Sequence, residues 1–162
     1  MPKTVTIDPP KEGDVLFNVE EKIFPDFKAE DGDKAYIFMH TVPFEGSVGL
    51  VNMLTATRLV RKGFEVSLVL FGPGVLMASA ARGFPAVGNE GFPGNLGYNR
   101  QLQTLMDEGA TIYACRFAMG ALYGMREDDL IPGVKAFSPL DVLDANIQAW
   151  KDRALVLATW TV

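Results

Sequence analysis

The sequence contains one cysteine, Cys115, and one histidine, His40, and these carry most of the reactive chemistry open to it. Cys115 closes an apolar run, TIYACRF (111–117), and precedes a short helical stretch over 117–125. The positive end of that helix and the neighbouring Arg116 both favour the thiolate, the form that attacks electrophiles and carries sulfur. Against this stands the ordinary behaviour of an unpaired cysteine, which packs as a small hydrophobe. The two readings weigh evenly for a thiol at a strand end. His40 closes another apolar run, KAYIFMHTV (34–42), and is a candidate proton acceptor for Cys115 or a ligand-binding group. The plainer alternative is a half-buried imidazole satisfied by backbone. Arg116, Arg82, Glu45 and Tyr123 are the candidate ligand-binding side chains around the pair. Glu45, in TVPFEGS, serves equally well as a loop acid beside a helix start.

Several chemistries are excluded by spacing. One Cys and one His cannot make a zinc site. The acids Glu127, Asp128 and Asp129 lack the alternation of a calcium loop, so no metal is expected. No Gly-x-Ser-x-Gly turn is present, which removes serine esterase chemistry. The Gly- and Pro-rich segment 72–97 is not followed by Gly-Lys-Ser/Thr, nor does it contain Gly-x-Gly-x-x-Gly opening a helix, and no cofactor is assigned.

The elements that must hold these residues alternate. Near-continuous apolar runs at 34–42 and 65–72 predict buried strands of a parallel sheet, with further strands at 111–117 and 154–162 and a short one at 134–137. Helices are predicted over 48–62, capped by Ser47 and stopped at Gly63, and over 96–108, stopped at Gly109. Ser138, Pro139 and Asp141 form a capping box opening a last helix with Leu140, Leu143, Ile147 and Trp150 at 3-4-3 spacing. Strands joined by long helical crossovers predict a single flavodoxin-like three-layer α/β sandwich with a mostly parallel sheet. A flavodoxin-like strand order makes the first and third strands neighbours at the carboxyl edge, where ligands gather. His40 and Cys115 would then share one crevice as a catalytic pair. Met77, Phe84, Phe92 and Tyr98 lie in or beside the Gly- and Pro-rich segment, where a lone monomer would expose them, and this predicts self-association.

At 162 residues the chain suits one domain. Residues 1–33 hold nine acids and four lysines and account for the whole net charge of −5, whereas 34–162 are balanced. This divides an acidic N-terminal arm, 1–33, from the body, 34–162. Neither offers the basic face that nucleic acid or an anionic membrane requires. There is no transmembrane pattern, no leader-like apolar stretch and no second cysteine, so a cytoplasmic protein is expected.

The stretch GATIYACRFAMGALYGMREDDLIPGVKAFS (109–138) resembles the DsrE/DsrF-like family: a strand ending in cysteine, a short helix, an acidic D-D-L-I-x-G-V turn, then a strand and the last helix. KAYIFMHT with the following helix and EVSLVLFG is similar to that family's opening β-α-β unit. The likeness covers about 34–162 and leaves 1–33 unmatched. HTVPFEGSVGLVN and GNEGFPGNLGYN resemble the nitrogen-starvation response branch encoded beside nitrilase clusters in bacteria. The resemblance implies homotrimers or hexamers, and, in sulfur-relay members, a persulfide on the cysteine matching Cys115. Sulfur-relay members often follow that cysteine with small residues and Arg-Gly, whereas this chain has Arg116, Phe117 and Tyr123. Three readings result: a small-molecule-binding oligomer in nitrogen-starvation or nitrile-linked metabolism, a persulfide carrier using Cys115, and a flavin-binding module.

Overall fold

A computed structural model describes residues 9, 11–13, 22–43, 48–80 and 94–160, the side chains of 94–97 and 160 excepted. Five strands, β1 (Lys34–His40), β2 (Glu65–Leu70), β3 (Thr111–Cys115), β4 (Lys135–Phe137) and β5 (Leu155–Trp160), form one sheet in which every pairing is parallel. Three helices connect them: α1 (Val48–Arg61), α2 (Gly94–Asp107) and α3 (Asp141–Lys151). The expected class is what forms, an α/β sandwich with helices on both faces of a parallel sheet.

Alternation along the strands divides the side chains between two faces. Ala35, Ile37, Met39, Leu68, Leu70, Ile112 and Ala114 point to one face. There they are buried with Met53 and Ala56 of α1 and Leu102 and Leu105 of α2. Each such leucine or isoleucine is worth about 1.5–3 kcal/mol as buried apolar surface. Tyr36, Ser67, Val69 and Tyr113 point to the other face, under α3. Helix α1 ends at Gly63 and α2 at Gly109, both left-handed as expected of C-terminal caps. The two helix ends are tied by Arg61, whose Nε and Nη2 donate to Glu108 at 2.9 and 2.6 Å. The Ser138 and Asp141 side chains bond the turn leading into α3, which begins at Asp141: Leu140 N–H donates to Ser138 Oγ at 3.3 Å, and Ser138 N–H donates to Asp141 Oδ2 at 3.0 Å.

The strand order, β4-β3-β2-β1-β5, departs from expectation. After β1, each of the next three strands is added on the same side, and the direction reverses only with β5. Parallel crossovers follow from the apolar pattern, but the side on which each new strand lands depends on packing that the pattern does not encode. Met77 and Tyr98, expected to be exposed in a monomer, are instead core residues at 1 and 2% exposure. They fill the space left by Gly49, where a Cβ would stand 3.0 Å from Met77 Cε and 3.1 Å from Tyr98 Oη. Phe84 and Phe92 lie outside the described residues.

The residues just before β1 are tied to the end of α1. Ala29 N–H donates to Lys62 O at 2.8 Å, and Asp26 accepts from both Lys62 and Lys22. Those two ammonium groups hold the Asp26 carboxyl at about 2, Lys62 contributing most. A carboxyl depressed in the folded state stabilises above its unfolded value, about 4. That contribution is lost as pH falls toward about 2. Asp152 and Glu108 are lowered in the same direction by Lys34 and Arg61. We expect the urea midpoint to fall between pH 4 and 2, and Asp26→Asn to flatten part of that fall. An identical pH profile in the variant would show that the pairing adds nothing.

Candidate functional site

The registers Met39↔Leu70 and Leu70↔Ala114 put the next residues of the three chains, His40, Phe71 and Cys115, in one lateral row at the carboxyl edge. β2 therefore separates the histidine strand from the cysteine strand. Two strand spacings, about 10 Å of backbone, lie between His40 and Cys115. Phe71 stands in the row between them, its ring centroid 4.9 Å from that of His40. The expected thiol–imidazole pair does not form, because β3 adds beside β2 and not beside β1.

Each member of the row has its own surroundings. Cys115 is 4% exposed, in register with Phe137 on β4. Arg116, expected to support the thiol, is exposed and paired with Glu127, whose carboxylate holds the guanidinium further in its charged form. Tyr123 is half-buried and ends the helical stretch that follows Cys115. His40 is half-buried, its backbone N–H donating to Thr159 Oγ1 at 3.1 Å on β5. Its imidazole lies directly over Gly72, where any Cβ would fall on the ring; Gly72 also has φ +51. The reversal of strand order lies between β1 and β5, and His40 is the last residue of β1 at that reversal. Glu45 and Arg82 lie outside the described residues, as does Ser47. Among the described residues no cluster of three or more His, Cys, Asp or Glu could hold a metal ion, and no helix is long and apolar enough to cross a membrane.

A second feature was not anticipated. On the face covered by α3, a cleft of about 340 Å³ opens between that helix and the sheet. Val69 and Phe137 form its apolar part, Tyr36 and Tyr113 its aromatic part, and Asp141, Asp144, Gln148 and Ser67 its polar part. Two of the lining residues, Tyr36 and Gln148, are also bonded to Asp152. Its Oδ2 accepts from Lys34 Nζ at 3.1 Å and Tyr36 Oη at 3.2 Å, and its Oδ1 accepts from Gln148 Nε2 at 2.8 Å. Burial, with the Asp152 carboxylate beside it, pushes the Tyr36 phenol above its ordinary range. A signal was present in the sequence: Tyr36, Ser67 and Tyr113 place polar-tipped side chains inside three largely apolar strands.

Helix α3 itself is turned in an unusual way. Its small residues Val142, Ala145 and Ala149 meet the body, and Asp141, Asp144 and Gln148 flank the cleft. At 100° per residue, Leu140, Leu143, Ile147 and Trp150 point away from the sheet. They are 78, 66, 41 and 78% exposed.

No family model matches the sequence, and no curated protein matches it. Solved structures do. The E. coli YchN protein superposes with a TM-score of 0.61 at 17% identity, covering 78% of this chain and 99% of its own. MTH1491 of Methanobacterium thermoautotrophicum, described as a protein of unknown function, gives 0.59 at 19% identity, covering 78% of this chain and 100% of its own. Identities this low speak for the fold alone, and the chain has the DsrE-like, flavodoxin-like α/β fold.

Proposed function

We propose that this is a cytoplasmic, self-associating small-molecule-binding protein of bacterial nitrogen-starvation or nitrile-linked metabolism, with the ligand held at the carboxyl edge beside His40. The metabolic setting rests on the resemblance of HTVPFEGSVGLVN and GNEGFPGNLGYN; homotrimers or hexamers rest on the wider family resemblance. The observation that carries binding over covalent chemistry is the separation of the row. A thiol at 4% exposure, with Phe71 standing between its strand and the histidine strand, has no imidazole to take its proton. His40 over Gly72 remains at the strand-order reversal, where parallel sheets place ligands. The outward face of α3 supplies apolar surface for self-association, and the arm adds Ile23, Phe24 and Phe27, all exposed.

The second reading, a persulfide carrier, is favoured by the position of Cys115 at a strand end before a helical turn. Complementation separates the two. In a deletion strain of the host grown under nitrogen limitation, Cys115→Ser is expected to restore growth as well as wild type, and His40→Ala to fail. Failure of Cys115→Ser, together with a 32 Da adduct on Cys115 after incubation with a sulfur donor, would establish sulfur carriage instead. Full rescue by both variants would remove the carboxyl edge from the function altogether.

A further inference from the structure

We infer that the cleft beneath α3 is a second binding site, built for a small organic cation: a protonated or quaternary nitrogen carried on an apolar body. Three features point to that chemistry. The first is size, since about 340 Å³ lies at the small end of ligand cavities. The second is the aromatic lining, because the faces of Tyr36 and Tyr113 attract positive charge and Val69 and Phe137 accept the apolar body. The third is charge. Asp141 and Asp144 are the charged side chains of the lining, and both are acids. Asp141 is already an acceptor for Ser138 N–H, whereas Asp144 makes no hydrogen bond or ion pair among the described residues.

Of the cations nearby, Arg116 is close enough to Asp141 to interact with it electrostatically, but its guanidinium is paired with Glu127. Lys34 is paired with Asp152 at 3.1 Å, outside the lining. Lys135 stands over the Tyr113 ring, 5.9 Å from its centroid, and pairs with neither aspartate. The orientation of α3 supports the same conclusion. A helix that merely covered the sheet would turn its leucines down onto Tyr36 and Tyr113. This one presents carboxylates along the cleft and sends its apolar stripe the opposite way. An anionic ligand would meet two carboxylates and no free cation in the lining.

The test uses matched probes on the full chain: benzyltrimethylammonium and phenethylamine as cations, phenylacetate as the anion of like shape. Titration calorimetry at pH 7 and low salt is expected to give saturable binding of both amines with Kd of about 1 mM or tighter. Phenylacetate should bind at least about tenfold more weakly, since like charge is disfavoured. Asp144→Asn, an exposed position that leaves the core untouched, should weaken the amines about fivefold or more, in the range of a lost charged partner. Tyr113→Leu should weaken them too, and His40→Ala should change nothing. The assignment fails if neither amine saturates, if phenylacetate binds equally, if Asp144→Asn keeps the wild-type Kd in a normally folded protein, or if His40→Ala abolishes binding.

Discussion

Gly74→Ala is expected to cost about 3 kcal/mol or more, among the largest effects of any single methyl group in this protein. Gly74 lies in the 3-10 stretch Gly72–Ala78 that follows β2, and a Cβ there would fall on the Met39 carbonyl oxygen. That oxygen is fixed, because it accepts from Phe71 N–H at 3.1 Å as the β1–β2 ladder runs out. Neither side can yield cheaply. Lifting the stretch would also lift Val75, Leu76, Met77 and Ala78, all at 6% exposure or less. With a urea m-value of about 2 kcal/mol/M, the midpoint should drop by roughly 1.5 M. Gly72→Ala should cost less, about 1–3 kcal/mol, since φ +51 is strained for alanine but the His40 ring can turn aside. Gly120→Ala, with nothing within 4 Å, should stay within about 0.5 kcal/mol. A Gly74→Ala midpoint close to wild type would mean that the stretch does not sit against β1 as described.

The second large effect concerns the outward face of α3. Leu140, Leu143, Ile147 and Trp150 follow the 3-4-3 spacing of a coiled-coil seam, yet nothing in the chain's described residues covers them. Beside them in sequence, Leu155 and Val156 of the edge strand β5 are each 43% exposed. We expect the protein to sediment as a multimer at micromolar concentration. The double variant Leu143→Glu/Trp150→Glu should weaken that association at least about 100-fold, or about 2.7 kcal/mol. Its fold should persist, because these side chains contribute little to the monomer's core. The urea midpoint of the diluted variant should therefore match that of the diluted wild type. A monomeric wild type, or a variant that assembles normally, would assign the stripe no part in self-association.

Element by element, much of this architecture is legible in the sequence. The apolar runs mark all five strands to within two residues at either end. For the inner strands β1, β2 and β3 the reason is burial in a covered parallel sheet, whereas the edge strand β5 is apolar although Leu155 and Val156 are 43% exposed. Ser138 and Asp141 identify the turn into α3 because the hydrogen bonds involved are local. What fails is everything that depends on which strand meets which. His40 and Cys115 were expected to be neighbours from an assumed strand order, and placing β3 beside β2 instead of β1 parts them. Tyr98 and Met77 looked stranded in a Gly-rich segment because Gly49, the residue that makes room for them, is distant in sequence. The 3-4-3 stripe of α3 is real, but periodicity reports that a helix has an apolar face without saying whether the chain's own sheet lies beneath it. The cleft escaped for the same reason: Tyr36, Ser67 and Tyr113 converge only once β1, β2 and β3 lie side by side.

The pairing of β5 with β1 bears on how the chain reaches its native state. β5 is synthesised after the other four strands, yet its place is against the first of them, in register from Ala35↔Leu155 to His40↔Trp160. Until it arrives, a nascent four-stranded sheet presents the bare backbone of β1, and unpaired edges of this kind recruit strands from other molecules. Closing so long a loop is also slow. The interval between translation of β4 and docking of β5 is thus when the protein is most exposed to mispairing, and when a chaperone has most to protect.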